Sequence, residues 1–328
     1  MSSALRGLAL ILLVGACAAG QTEPATRAEP LPALSRPAAS PDVLRGESLL
    51  AEGNAREAKQ VFEKVLAEDP RDARAWLDLG LALEETEDWT EAERAYRRSV
   101  ELDPGFAEAF NNLGVLLRER GALDEAVAAL ERAVALDPAL AAARFNLAMS
   151  YEELERPGEA EREYLGTIER LPRDPIPRIN LAMLYLETGR PEAAAAQLRE
   201  ARPIARGDTL LSIALGEGFR RAGLSEDAVS ILEMALRQAS SPPPTELLAE
   251  LALAYYANGE IGLAEKTMRQ ALGQAERDPA LHYAYGSILA KQGQLGKARA
   301  HLRRCVDLDP NGPYAERARA RLDGLKKN

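Results

Sequence analysis

Apolar residues recur along this chain at helical spacing, and the helical pattern itself comes back every 34 residues. Pro70, Pro104, Pro138 and Pro172 mark the period, each closing the same run of apolar and polar positions. Numbered within one period, the eighth position holds only Gly or Ala, from Gly46, Gly80 and Gly114 to Ala252 and Gly286, and the twentieth holds Ala throughout, from Ala58 to Ala298. The eleventh position carries Leu or an aromatic, such as Tyr151, Tyr185, Phe219 and Tyr255. The twenty-fourth carries Phe62, Tyr96, Leu130, Tyr164 and similar knobs. Gly53, Gly121, Gly189, Gly223, Gly259 and Gly293 recur at the fifteenth, where a residue tolerant of left-handed backbone ends a helix. Each period therefore predicts a helix, a tight turn and a second helix. The two small-residue columns are expected to face each other where the paired helices cross.

Units laid out from residue 39 fall at 39–72, 73–106, 107–140, 141–174, 175–208, 209–242, 245–278 and 279–312, with Pro243 and Pro244 inserted between the sixth and seventh. Residues 313–328 follow as an arginine-rich amphipathic helix suited to covering the last open face. The fifth unit lacks its closing proline and carries Pro203 inside the expected second helix, and the sixth ends on Pro242-Pro243-Pro244. Proline ends or kinks a helix, so these places are either bends or longer connections. The second unit, Trp76…Leu79-Gly80…Leu83…Ala92…Tyr96…Pro104, carries the fullest pattern, and with its copies the chain resembles the tetratricopeptide repeat family over residues 39–312. The resemblance implies an all-α, right-handed superhelical solenoid of about eight helix-turn-helix repeats with a C-terminal capping helix.

Composition adds limits. A net charge of −10 and a pI near 5.1 argue against a nucleic-acid binder, which needs a basic stripe to displace counterions from phosphates. Two cysteines do not make a disulfide framework. At the N-terminus Arg6 precedes an apolar run, Leu8 to Val14, too short to span a bilayer, and this reads as a signal peptide over 1–16. Val14-Gly15-Ala16-Cys17 resembles the bacterial lipobox, which implies cleavage before Cys17 and lipidation (palmitate and related acyl chains) of that residue. Several acyl chains anchor durably where one is marginal. Ala18 follows where an aspartate would imply inner-membrane retention, so the expected location is the outer membrane, facing the periplasm. Residues 17–38, rich in Pro and Ala, read as a disordered tether, and the ordered part begins at Ser40 as a helix cap with Pro41 behind it.

The resemblance further implies that the first helix of each unit lines a concave groove. The groove positions hold Leu77, Leu81, Asn111, Val115, Phe145, Met149, Ile179 and Met183, expected as an apolar strip. The sixth position holds Asn112, Asn146 and Asn180. An amide both donates and accepts, as a peptide group does, so this ladder is expected to hold the backbone of an extended partner. Glu84, Glu85, Glu119, Glu152, Glu153 and Glu187 are expected as a solvated acidic rim. The lysine, asparagine and arginine set with which some relatives clamp a carboxylate is missing from the groove positions. Catalysis finds little support: His282 and His301 have no metal-ligand spacing, no phosphate loop is present, and Cys305 sits in a column of alanines and reads as a small buried residue. No metal, cofactor or catalytic residue is assigned. The expected function is a lipid-anchored periplasmic scaffold or assembly factor that takes a segment of another protein. The alternatives are a pilotin-like factor for a type IV pilus secretin, or a non-catalytic adaptor or subunit of a cell-envelope enzyme. The partner, the pathway and the oligomeric state are not written in the sequence.

Overall fold

The computed structural model describes residues 39–205 and 207–325, and over them the protein is built of α-helices without a strand. The expected signal peptide, tether and Cys17 lie outside the described residues. Two compact units meet in sequence between Pro172 and Arg173. The first contains four helix pairs: α1 (Pro41–Ala51) with α2 (Ala55–Glu68), α3 (Ala73–Glu85) with α4 (Trp89–Leu102), α5 (Ala107–Glu119) with α6 (Leu123–Leu136), and α7 (Ala141–Glu153) with α8 (Pro157–Arg170). The second contains α9 (Ile176–Glu187) with α10 (Pro191–Ala201), α11 (Thr209–Arg221) with α12 (Ser225–Gln238), α13 (Thr245–Ala257) with α14 (Ile261–Gln274), α15 (Pro279–Lys291) with α16 (Leu295–Leu308), and a final helix α17 (Pro313–Gly324).

Local chemistry sets these ends. Ser40 Oγ accepts from Val43 N at 3.2 Å and Asp72 Oδ1 accepts from Ala75 N at 2.9 Å, each satisfying a helix-start N–H that has no intrahelical partner. Between pairs, Asp69, Asp103 and Asp137 each take a backbone N–H two residues on, from Arg71, Gly105 and Ala139 at 2.9 Å. The proline behind each aspartate cannot extend a helix, so the turn is fixed from both sides. Inside pairs, Gly53 and Gly121 both turn at φ 78°. The second and fourth units have no glycine there, and Glu87 (φ 63°) and Glu155 (φ 57°) take the same left-handed backbone at a steric cost glycine avoids.

The core adds a closer contact to the expected helix crossing. The small residue at the eighth position faces the knob at the twenty-fourth more closely than the alanine at the twentieth. A side-chain carbon on Gly80 would lie 2.3 Å from the Tyr96 ring, one on Gly46 2.4 Å from Phe62, and one on Gly114 2.5 Å from Leu130, with the Ala126 carbonyl at 3.2 Å. Phe62, Tyr96 and Leu130 are fully buried, and each removes enough apolar surface to contribute roughly 1.5–3 kcal/mol.

Both irregular places are longer connections. Helix α10 stops at Ala201 after 11 residues, two residues before Pro203, and Asp208 then caps α11 by accepting from Leu211 N at 2.9 Å. Helix α12 keeps 14 residues, and the prolines fall in the connection that follows it. Helix α17 lays Tyr314, Ala318 and Leu322, with Leu325 just past its end, against Leu302 and Cys305. Arg319 and Arg299 donate across it to the carbonyls of Pro310 at 2.6 Å and Leu325 at 2.5 Å.

Candidate functional site

The first helices of neighbouring pairs pack against each other, α1 on α3 and α5 on α7 in the first unit, α9 on α11 and α11 on α13 in the second. Burial removes half of the expected apolar strip. Leu77, Phe145, Met149 and Ile179 are buried, with Phe145 tilted against the Tyr164 ring at 5.9 Å. These four side chains are spent in the core, within and between helix pairs, and are withdrawn from the strip. Asn180 is buried as well and leaves the expected ladder. Leu81, Val115 and Met183 stay half-buried, as do Asn111, Asn112 and Asn146.

Polar side chains on the first helices form bonded groups. Asn146 Nδ2 donates to Asn111 Oδ1 at 3.0 Å, and Asn111 Nδ2 donates to Asn112 Oδ1 at 3.0 Å, so three amides from α5 and α7 form one chain. Each amide carries two N–H groups and an oxygen with two lone pairs, so every member keeps capacity beyond these bonds. Beside them the buried Arg118 reaches across from α5 to α7, with Nη1 3.2 Å from Met149 Sδ and Nε 3.8 Å from Glu153 Oε1. On α1 and α3, Arg74 Nε donates to Glu47 Oε1 at 2.8 Å and approaches Asp78 at 4.0 Å. In the second unit, Arg220 of α11 grips Glu250 of α13 through Nε at 2.6 Å and Nη2 at 3.3 Å. Burial holds the Glu250 carboxyl up at about 7 against the pull of that guanidinium.

Two members of the expected acidic rim are structural. Glu84 accepts from the Tyr96 hydroxyl at 2.6 Å and Glu152 from the Tyr164 hydroxyl at 2.9 Å, both within their helix pairs. Burial pushes the Glu84 carboxyl up to about 7, although the Tyr96 hydrogen bond pulls it down. The signal was in the sequence: only the second and fourth units have Tyr at the twenty-fourth position, and only they have Glu at the twelfth. Glu85, Glu119 and Glu187 are exposed, and Glu153 is half-buried beside Arg118.

Chemistry of other kinds has little footing among the described residues. No group of three or more His, Cys, Asp or Glu side chains is placed to hold a metal ion, and no helix is long and apolar enough to cross a membrane. Cys305 is fully buried, and desolvation pushes its thiol up to about 11, far from a reactive thiolate.

A family model described as tetratricopeptide repeat matches residues 43–105, 85–141, 145–209 and 249–313, more than half of the chain. Among solved structures, a tetratricopeptide repeat protein from Parabacteroides merdae is 17% identical with a TM-score of 0.61, over 78% of this chain and 99% of that one. PilW, described as a widely conserved type IV pilus biogenesis factor, is 20% identical with a TM-score of 0.56, over 63% of this chain and 94% of that one. Pseudomonas aeruginosa PilF is 20% identical with a TM-score of 0.54, over 63% and 93%. At these identities the likeness is one of fold. No curated protein matches the chain.

Proposed function

This chain belongs to the tetratricopeptide repeat family, and from that premise we propose that it is a non-catalytic scaffold holding a segment of another protein on the first-helix face of residues 39–172. The amide chain Asn111–Asn112–Asn146 carries this reading. It presents donors and acceptors in succession along two adjacent helices, which suits the alternating N–H and C=O groups of an extended backbone. Half-buried Val115, one turn along α5 from Asn111, adds an apolar contact, and exposed Glu85 and Glu119 favour a partner with basic flanks. Changing Asn111, Asn112 and Asn146 together to Ala should weaken partner binding roughly 30- to 150-fold, two or three hydrogen bonds at about 1 kcal/mol each, with unchanged helical circular dichroism. Unaltered affinity would return the amides to a purely internal role.

The same proposal places the protein on the periplasmic side of an outer membrane, anchored by lipid on Cys17. The lipobox-like Val14-Gly15-Ala16-Cys17 supports this. Cys17→Ser should move the protein from membrane to soluble fractions, and persistent membrane association would refute the anchor. A second, narrower reading is a pilotin-like role in secretin assembly, favoured by the fold shared with PilF and PilW. Deleting the gene should then abolish secretin multimers on a semi-native gel, and normal multimers would leave the general scaffold standing without that role.

A further inference from the structure

The two histidines of the chain meet across the last helix pair of the second unit. His282 of α15 and His301 of α16 stack with ring centroids 5.1 Å apart, and their Nδ1 atoms are 2.9 Å apart. His282 Nε2 lies 2.8 Å from the Glu276 carbonyl. A carbonyl only accepts, so His282 carries its proton on Nε2 and turns an Nδ1 lone pair toward its neighbour. His301 must then supply the shared proton from its own Nδ1. We propose that this pair is a one-proton site that latches α15 to α16 and lets the last helix pair loosen on acidification.

The proton count follows from the geometry. With both rings neutral, one N–H joins the two Nδ1 atoms. A first added proton leaves one N–H between the rings, whether it enters at His301 Nε2 or at His282 Nδ1 with His301 turned to its Nε2–H tautomer. A second sets two N–H groups nose to nose between two stacked cations, so the rings must part. Few ionisable groups stand near enough to compensate. From α15, the Tyr285 ring lies 4.6 Å from His301, and its hydroxyl is given to Glu265 of α14. Asp278 spends its carboxylate capping α15, accepting from Ala280 and Leu281 N. Cys305, one turn beyond His301 on α16, is buried and protonated, and Tyr314 of α17 contacts Tyr283. Burial first, and the charge of His282 once that ring is protonated, hold His301 below the ordinary 6.5.

A base whose folded pKa is depressed stabilises the fold while neutral, and that stability drains away as pH falls through about 6.5. Glu250 in the same unit has the opposite sign, since a carboxyl raised to about 7 strengthens the fold on acidification. The two effects oppose each other, and the His301→Gln variant tells them apart.

The test uses the full chain, with long-range proton–nitrogen spectra of the imidazoles and amide exchange between pH 7.5 and 5. At pH 7.5, His282 should appear as the Nε2–H tautomer and His301 as the Nδ1–H tautomer, with the His301 midpoint below 6.5. Exchange over 279–308, corrected for its intrinsic rate, should rise about tenfold on acidification, while residues 41–170, where Glu84 acts in the opposite direction, should show no rise. In His301→Gln the rise should vanish. If that variant does not fold, the wild-type tautomers decide. Two rings of the same tautomer, exchange over 279–308 indifferent to pH, or a full rise retained in His301→Gln would each overturn the latch.

Discussion

Single residues here do two jobs that composition does not distinguish. Glu84 and Glu85 are neighbours in sequence, yet Glu84 is spent on the Tyr96 hydroxyl and Glu85 is exposed. The sign of the Glu84 shift gives a prediction. Its carboxyl is raised from 4.5 to about 7, so the stability it contributes is full below pH 4.5 and is lost as pH rises through about 7. The unfolding free energy of the wild type should fall from pH 5 to pH 8 by roughly 1–3 kcal/mol more than that of Glu84→Gln, measured by urea titration at both pH values. Glu87 and Glu155 give a second prediction at this scale. Both hold left-handed backbone without being glycine, so Glu87→Gly and Glu155→Gly should each stabilise by roughly 0.5–1 kcal/mol, whereas Gly121→Ala should destabilise. The glycine column announced this turn in six units, and the two exceptions were legible only by their place in the register.

At the scale of the element, the pair of helices is held by a small residue against a knob. Gly80→Ala drives a carbon to 2.3 Å from the Tyr96 ring and should cost about 1–3 kcal/mol of stability despite the better helix propensity of alanine. Gly158 in α8 has open space around it, so Gly158→Ala should be neutral or stabilising by up to about 1 kcal/mol. Equal losses at both sites in denaturant unfolding would refute the packing account. Which small column opposes which knob was not legible, because sequence spacing gives the face of a helix but not the offset between two helices.

Within each unit stability passes from pair to pair, and the last pair of the second depends on what covers it. Helix α17 shields Cys305, which is fully buried. In a protein carrying Cys17→Ser, where Cys305 is the one thiol left, removing residues 313–328 should raise its labelling rate by a disulfide reagent about tenfold or more and lower the melting temperature. An unchanged rate would mean that α17 does not act as the cover. The sequence by itself determined the all-α class, the 34-residue unit and the places where helices begin and end, because caps, turn glycines and prolines act within a few residues of chain. Only the tertiary structure decided which first-helix side chains stay available. Leu77, Phe145, Met149, Ile179 and Asn180 vanish into the core, while Asn111, Asn112 and Asn146 stay half-exposed and bonded to one another. The reason is physical: exposure of these positions depends on how closely one first helix lies against the next, a distance that no local pattern encodes.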